Sequence, residues 1–418
     1  MADPIPVRLE DVGAAAQRIS GVVRRTPLIP APAIPGLLST GVYLKLENLQ
    51  LTGSFKLRGA TNRILSLSAE QAALGVVAAS AGNHAQGVAY AARYRGIPAT
   101  IVMARGATPS KVSATRALGA RVVFHGNDFE EADEEALRLS REKGLVYVHP
   151  FEDPEVVAGQ GTIALEILED LPTTKRIIAG VGGGGLLAGI TVAAKEMDPA
   201  VEIVGVQPAG ADTLRASMDQ GRVVVGGRPN TFADGLATRH IGDLPFQIFQ
   251  HFGIKAVSVD DRTIARAVFL LLDSAKLLAE GAGAAPLAAL LEHPELLENG
   301  PTVLVISGGN LDPFLLDRIL WIGLSAEGRL LRIRASLRDK PGQLAEMLTI
   351  AAGLTANVRH IVHDRESPDR PPGEVIVEVE LEVRDAAHAT EILQAYRDKG
   401  WNVMTVGAGD AQAAAVSR

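Results

Sequence analysis

The chain has 418 residues, 47% of them hydrophobic and 21% charged, which is enough apolar side chain for two or three globular units. Its 41 Lys plus Arg against 48 Asp plus Glu give a formal charge of -7 with no basic stripe, so nucleic acid is not an expected partner. The absence of cysteine excludes disulfides, thiolate metal sites and a cysteine nucleophile.

The segment Met1 to Arg8 is polar and lacks the basic start and apolar core of a secretion signal, which predicts a cytoplasmic location. From Val7 to about Ser325, strand-like runs alternate with helical segments. The runs are Val76 to Ala79, Ala99 to Met103, Arg121 to Phe124, Ile177 to Ala179, Val201 to Val206 and Thr302 to Ile306. This spacing predicts a parallel α/β architecture with ligands at strand ends. The uncharged stretch Ile177 to Ala194 is crowded with glycine and bracketed by Arg176 and Lys195, so it is expected to be strand, loop and helix rather than a membrane span. After Gly328 the pattern becomes strand (Arg329 to Leu337), turn (Asp339 to Gly342), helix (Leu344 to Ala351) and strand (Val358 to His363). A three-proline loop (Ser367 to Gly373), a strand (Glu374 to Val383), a helix (Ala386 to Lys399) and a strand (Asn402 to Val406) follow. That order is βαββαβ, a ferredoxin-like unit.

Two segments carry chemistry. Gly180-Val-Gly-Gly-Gly-Gly185 follows a strand and precedes a helix, so its N–H groups suit an anion at the helix start. A dinucleotide site would place an acid near the end of the next strand, where Gln207 stands, so a phosphate monoester suits this turn better than NAD. A tight turn without ligand is the remaining reading. In Glu47 to Ala60, Lys56 lies among Leu51, Phe55 and Leu57, apolar neighbours able to strip water from its amine. A free lysine has a pKa of ~10.4 and is under about 0.1% neutral near pH 7, so catalysis by this amine needs such surroundings. An isolated lysine would read as a solvated surface residue.

Ser54-Phe-Lys-Leu-Arg-Gly-Ala60, Ser80-Ala-Gly-Asn-His-Ala-Gln-Gly87, the glycine run and Ser307-Gly-Gly-Asn310 occur together in this order. The set resembles the fold-type II (tryptophan synthase β-like) pyridoxal 5'-phosphate enzymes, in particular the threonine and serine dehydratases. The resemblance implies a catalytic region over 1–325, with a small subdomain at about 50–148 inserted in a larger one. It implies that Lys56 carries the cofactor as a Schiff base, Phe55 packs by the ring and Asn83 donates to the phenolic oxygen. Gly182, Gly183, Gly184, Gly185 and Leu186 would cradle the phosphate, Ser307 would face the pyridine nitrogen, and Glu280 would lie near the cofactor. Ser80, Ala81, Gly82, Asn83 and His84 would meet the substrate carboxylate. Taken singly, Asn83 and His84 read rather as loop-stabilising residues and Ser307 as a helix cap, and capping would account for Glu280 nearly as well as a place beside the cofactor.

The implied activity is loss of water and ammonia from L-threonine to give 2-oxobutanoate, the first committed step of isoleucine biosynthesis; L-serine and 3-hydroxyaspartate are the alternative substrates. A neutral serine at the pyridine nitrogen favours rapid loss of a β-hydroxyl over transamination. Racemases of this group resemble Ser-Ser-Gly-Asn-His, and Ala81 here has no proton to donate. They also use acids after a Gly-Val-Glu-Pro strand end for a divalent cation. Gln207 interrupts that pattern, so no metal is expected there, although Asp234 or main-chain carbonyls remain cation ligands by type. Asp339-Lys-Pro-Gly-Gln-Leu and Asn357 to Arg365 resemble an ACT domain over 329–418, which implies an amino-acid effector near Gly342 and a homodimer or homotetramer; a module that only joins subunits is the other reading. An NAD-dependent oxidoreductase or an amino-acid-binding regulator would account for single motifs but not for Lys56, Asn83 and Ser307 together.

Overall fold

The computed structural model describes residues 5–35, 41–298, 300–366 and 373–406. Most of the expected proline loop and the first four residues of the N-terminal segment lie outside the described residues. The chain divides into two compact units, 1–312 and 313–418.

Two sheets organise the first unit. The larger has six strands in the order Leu28–Pro30, Val42–Lys45, Thr302–Val305, Arg176–Gly180, Glu202–Pro208, Lys255–Val259. All its neighbours are parallel except the edge strand Leu28–Pro30, so the sheet is mixed rather than purely parallel. A three-residue edge strand ending in proline offers little to a further partner. The smaller sheet is wholly parallel, in the order Arg121–Phe124, Ala99–Met103, Val76–Ala79, Val146–Tyr147. The strands Val76–Ala79, Arg176–Gly180 and Thr302–Val305 are buried at every residue, as strands covered on both faces must be.

Local chemistry sets where the helices start and stop. Asp153 accepts from the N–H groups of Glu155 and Val156 and Pro154 opens the Pro154–Asp170 helix. Asp128 accepts from Glu131 at the head of Phe129–Lys143, which has acids in its first turn and Arg141 and Lys143 in its last. Gly96, with φ +75°, ends Asn83–Arg95 in a left-handed conformation that a side chain would resist. The uncharged run from Ile177 divides between a buried strand and the Gly185–Met197 helix. Among the described residues, no helix is long and apolar enough to cross a membrane.

The second unit places strands Leu330–Arg338, Asn357–Asp364, Glu374–Glu382 and Asn402–Thr405 around helices Gln343–Gly353 and Ala386–Asp398. Its sheet order is Asn357–Asp364, Glu374–Glu382, Leu330–Arg338, Asn402–Thr405, antiparallel throughout. Val375, Val377, Val379 and Leu381 line its core while Glu378 and Glu380 alternate onto the opposite face.

The helices Pro154–Asp170 and Gly185–Met197 cross where both carry glycine. A Cβ on Gly189 would lie 2.2 Å from the Val157 carbonyl oxygen and 2.5 Å from the Gly161 nitrogen. Gly189→Val should therefore lower stability by about 2–3 kcal/mol or more in urea unfolding. Gly13→Ala, inside the Leu9–Ile19 helix with nothing within 4 Å, should raise it by about 0.5–1 kcal/mol. A Gly189 variant as stable as the parent would show that this crossing is not close-packed.

Candidate active site

Lys56 is the first residue of the Lys56–Leu65 helix, and its Nζ donates to the Pro150 carbonyl at 2.8 Å and sits 5.3 Å from the Phe55 ring centre. Burial lowers its pKa to about 8, against a smaller opposing pull from Glu280. Two residues on, Arg58 points elsewhere, into a buried cluster. It meets Glu47 at 2.8 Å and Glu166 at 2.6 Å, and Lys45 reaches Glu166 at 2.5 Å. The segment before the lysine is tied to the late serine motif. Phe55 N–H donates to the Ser307 carbonyl at 3.0 Å, Gly309 N–H to the Gly53 carbonyl at 2.9 Å, and Ser54 forms an antiparallel bridge with Gly308.

The glycine turn joins the strand Arg176–Gly180 to the Gly185–Met197 helix. Gly184 has φ +99°, and a Cβ on Gly183 would lie 2.3 Å from the Phe151 ring. A side chain at either position is excluded. Among the described residues, no acceptor takes the N–H groups of Gly182, Gly183 or Gly184, whereas the Gly183 carbonyl accepts from Gly242. The buried Thr238 hydroxyl also has no partner among the described residues, and its methyl lies 3.5 Å from the Cβ position of Gly182. These are uncommitted donors at a helix N-terminus, the arrangement an anion seeks.

Asn83 opens the Asn83–Arg95 helix and donates from Nδ2 to Glu280 Oε1 at 2.6 Å. Glu280 precedes the Gly281–Glu292 helix but makes no side-chain cap; burial raises its pKa to about 7, outweighing the Asn83 hydrogen bond. Ser80 Oγ accepts from Gly82 N–H at 3.1 Å, shaping the turn ahead of Asn83, and Ala81 packs on the core of the smaller sheet. His84 turns its ring inward to the Val148 carbonyl at 2.8 Å, and burial holds its pKa near 3. Its ring is thus neutral and structural, leaving its main-chain N–H in the first turn of the helix. Ser307 is buried just after the strand Thr302–Val305. Leu186 is buried in the first turn after the glycines.

The contacts close a circuit. Lys56 reaches Pro150, whose neighbour Phe151 packs on Gly183; Gly182 abuts the Gly235 carbonyl; Gly235 lies by Glu280; Glu280 holds Asn83; and the Ser307–Gly308 segment returns to Phe55. Pro150, Phe151, Gly235 and Thr238 carry no sequence signal of their own, because they belong to loops that only the fold brings to the motifs. Asp234, a possible cation ligand by type, is instead paired with Lys111 at 2.8 Å. Among the described residues, no cluster of three metal-ligating side chains occurs.

An amine with a lowered pKa, a cradle of free N–H groups that no Cβ could enter, and an amide and a hydroxyl on the far side fit an aldehyde carrying a phosphate monoester. Comparison with known proteins agrees. The family described as "Pyridoxal-phosphate dependent enzyme" matches residues 19–308. The L-threonine ammonia-lyase of Thermotoga maritima is 47% identical over 402 residues, covering 96% of this chain and 100% of that protein. The L-threonine ammonia-lyase of Geobacter sulfurreducens is 44% identical over 389 residues, covering 93% of this chain and 97% of that protein. Among solved structures, a threonine deaminase from "T.th." superposes with TM-score 0.69 at 41% identity, covering 73% of this chain and 99% of that one. The match over most of the chain, on top of the circuit of motifs, makes this protein a member of the pyridoxal-phosphate dependent enzyme family.

Proposed function

We propose that the protein is a threonine ammonia-lyase that removes water and ammonia from L-threonine to give 2-oxobutanoate. The observation that carries the proposal is the closed circuit of contacts through Lys56, the glycine turn, Glu280, Asn83 and Ser307. The relatives named as threonine ammonia-lyase and threonine deaminase support the choice of substrate.

Bound pyridoxal phosphate supplies an electron sink for the pair left at the substrate Cα. Gly182, Gly183, Gly184, Gly185 and Leu186 hold the phosphate by main-chain N–H groups. Phe55 would pack beside the ring and Glu280 would lie near its edge. Asn83 would donate to the phenolic oxygen, and Ser307 would offer the pyridine nitrogen a neutral hydroxyl in place of a strong proton donor. Lys56 would hold the cofactor through its amine in the absence of substrate. It then acts as the general base that takes the Cα proton, its low pKa keeping a useful neutral fraction. The turn at Ser80, Ala81 and Gly82, with the N–H groups of Asn83 and His84, receives the substrate carboxylate at a helix N-terminus. Ala81 offers no proton to the opposite face of Cα, which leaves elimination as the outcome. The segment 329–418 acts in this reading as an ACT-type amino-acid sensor in a cytoplasmic homo-oligomer. Its antiparallel βαββαβ order and Gly342, at φ +92° before the Gln343–Gly353 helix, support that role, which suits a place at the start of isoleucine synthesis.

Lys56→Ala should abolish both the visible absorbance of bound cofactor and the release of 2-oxobutanoate; turnover in the variant would reject the mechanism. Parallel assays with L-threonine, L-serine and 3-hydroxyaspartate should give the highest kcat/KM for threonine, and a higher value for either rival reassigns the substrate. Lysine attacks an aldehyde only when neutral. Cofactor uptake by the cofactor-free protein should therefore quicken as pH rises towards about 8 and level off above it. A rate still climbing about tenfold per unit beyond pH 9, as for a free amine of pKa ~10.4, would remove the desolvation argument. Isoleucine or valine should shift the threonine saturation curve; a curve indifferent to both would leave the second unit a purely structural module.

A further inference from the structure

The reading above leaves Asn310, the last residue of the Ser-Gly-Gly-Asn run, without a role. Its Nδ2 lies 2.9 Å from the Thr52 carbonyl oxygen and 2.7 Å from Asn83 Oδ1, joining segments 258 and 227 residues away in the chain. A carbonyl oxygen only accepts, so the Asn310 atom facing Thr52 is the amide nitrogen. That nitrogen carries two hydrogens, and the second one meets Asn83 through its oxygen. Asn83 must then turn its own nitrogen the other way, where it lies 2.6 Å from Glu280 Oε1. One Asn83 hydrogen goes to that carboxyl and one stays available to the cleft. Donation therefore starts at Asn310, whose amide nitrogen is anchored on the fixed Thr52 carbonyl, and runs through the Asn83 amide to the Glu280 carboxyl group. Space is reserved for the arrangement: Gly53 has φ +73°, and a Cβ there would lie 2.5 Å from Asn310 Oδ1.

We infer that Asn310 is a positioning residue for the reaction. It fixes Asn83 with nitrogen rather than oxygen toward the ring, and ties that asparagine to the segment leading into Lys56. The inference rests on the reading in which Asn83 donates to the cofactor's phenolic oxygen. Without Asn310 the Asn83 amide keeps Glu280 alone to set its sense, and a half-turn would present an acceptor to an acceptor.

The test is a double-mutant cycle on the full chain with Asn83→Ala, Asn310→Ala and both together. The cofactor dissociation constant and the visible spectrum of the loaded protein are measured alongside kcat and KM. Each single variant should weaken cofactor binding about tenfold and displace the visible band in the same sense. The double variant should bind no worse than Asn83→Ala alone, because Asn310 acts through Asn83. Asn310→Asp keeps the volume but offers no donor, so it should lose at least as much as Asn310→Ala, and it serves as the readout if the alanine variant does not fold. Losses that add in the double variant, or an Asn310→Asp protein indistinguishable from the parent, would overturn this role while leaving that of Asn83 standing. An Asn83→Ala protein unchanged in affinity and spectrum would overturn both.

Discussion

Four helices begin at the cleft: Lys56–Leu65, Asn83–Arg95, Gly185–Met197 and Gly281–Glu292. The first turn of an α-helix has N–H groups without an intrahelical partner and carries the positive end of the helix dipole. Helix starts of this kind disfavour a protonated amine and favour anions. Desolvation acts on Lys56 in the same direction. The fold thus creates the field first, and the motif residues are placed within it at the strand ends of the two sheets.

That field is useful only if the four helix starts hold their spacing. Glycine-mediated contact secures part of it. Gly161 and Gly189 let two helices of the larger lobe meet backbone to backbone, and Gly87 brings the asparagine helix against the carbonyl of Lys56, where a Cβ would lie 3.1 Å away. Gly59 and Gly159 do the same between the lysine helix and Pro154–Asp170, with a Cβ on Gly159 meeting Gly59 Cα at 2.6 Å. In each case the absent side chain permits a distance that any larger residue would have to open. The high alanine and glycine content of these helices is therefore a packing requirement of the site.

Much of this was legible in the sequence because the fold and the chemistry are written in local runs. The buried strands appear as unbroken apolar stretches, and the glycine run, the lysine motif and Ser307 each lie in consecutive residues. Other parts were not legible, because their meaning depends on which loops meet. Glu280 reads either as a cofactor neighbour or as a helix cap, and only the fold shows that its carboxyl makes no cap and accepts from Asn83. His84 reads as a substrate donor or a loop-stabilising residue, and only the fold shows its ring on the Val148 carbonyl, with the main-chain N–H left in the first turn of its helix. The edge strand Leu28–Pro30 is too short for any periodicity to show, so its antiparallel pairing with Val42–Lys45 emerges only in the folded chain. Thr238 and Phe151 border the glycine turn from loops with no pattern of their own.

The buried cluster around Arg58 raises a different question, since two cations and two carboxylates are costly to remove from water and seldom stabilise a core more than apolar residues would. Its geometry indicates what it does instead. Arg58 grips Glu47 through Nε at 2.9 Å and Nη2 at 2.8 Å, and Glu166 through Nη1 at 2.6 Å, so the first turn of the lysine helix is held against rotation as well as translation. Lys56 is two residues earlier and projects to Pro150, away from the cluster. The amine can then change partners during a reaction while the backbone that carries it stays fixed. A lysine at position 58 would keep the charge but lose the planar two-point grip, and with it the rotational restraint.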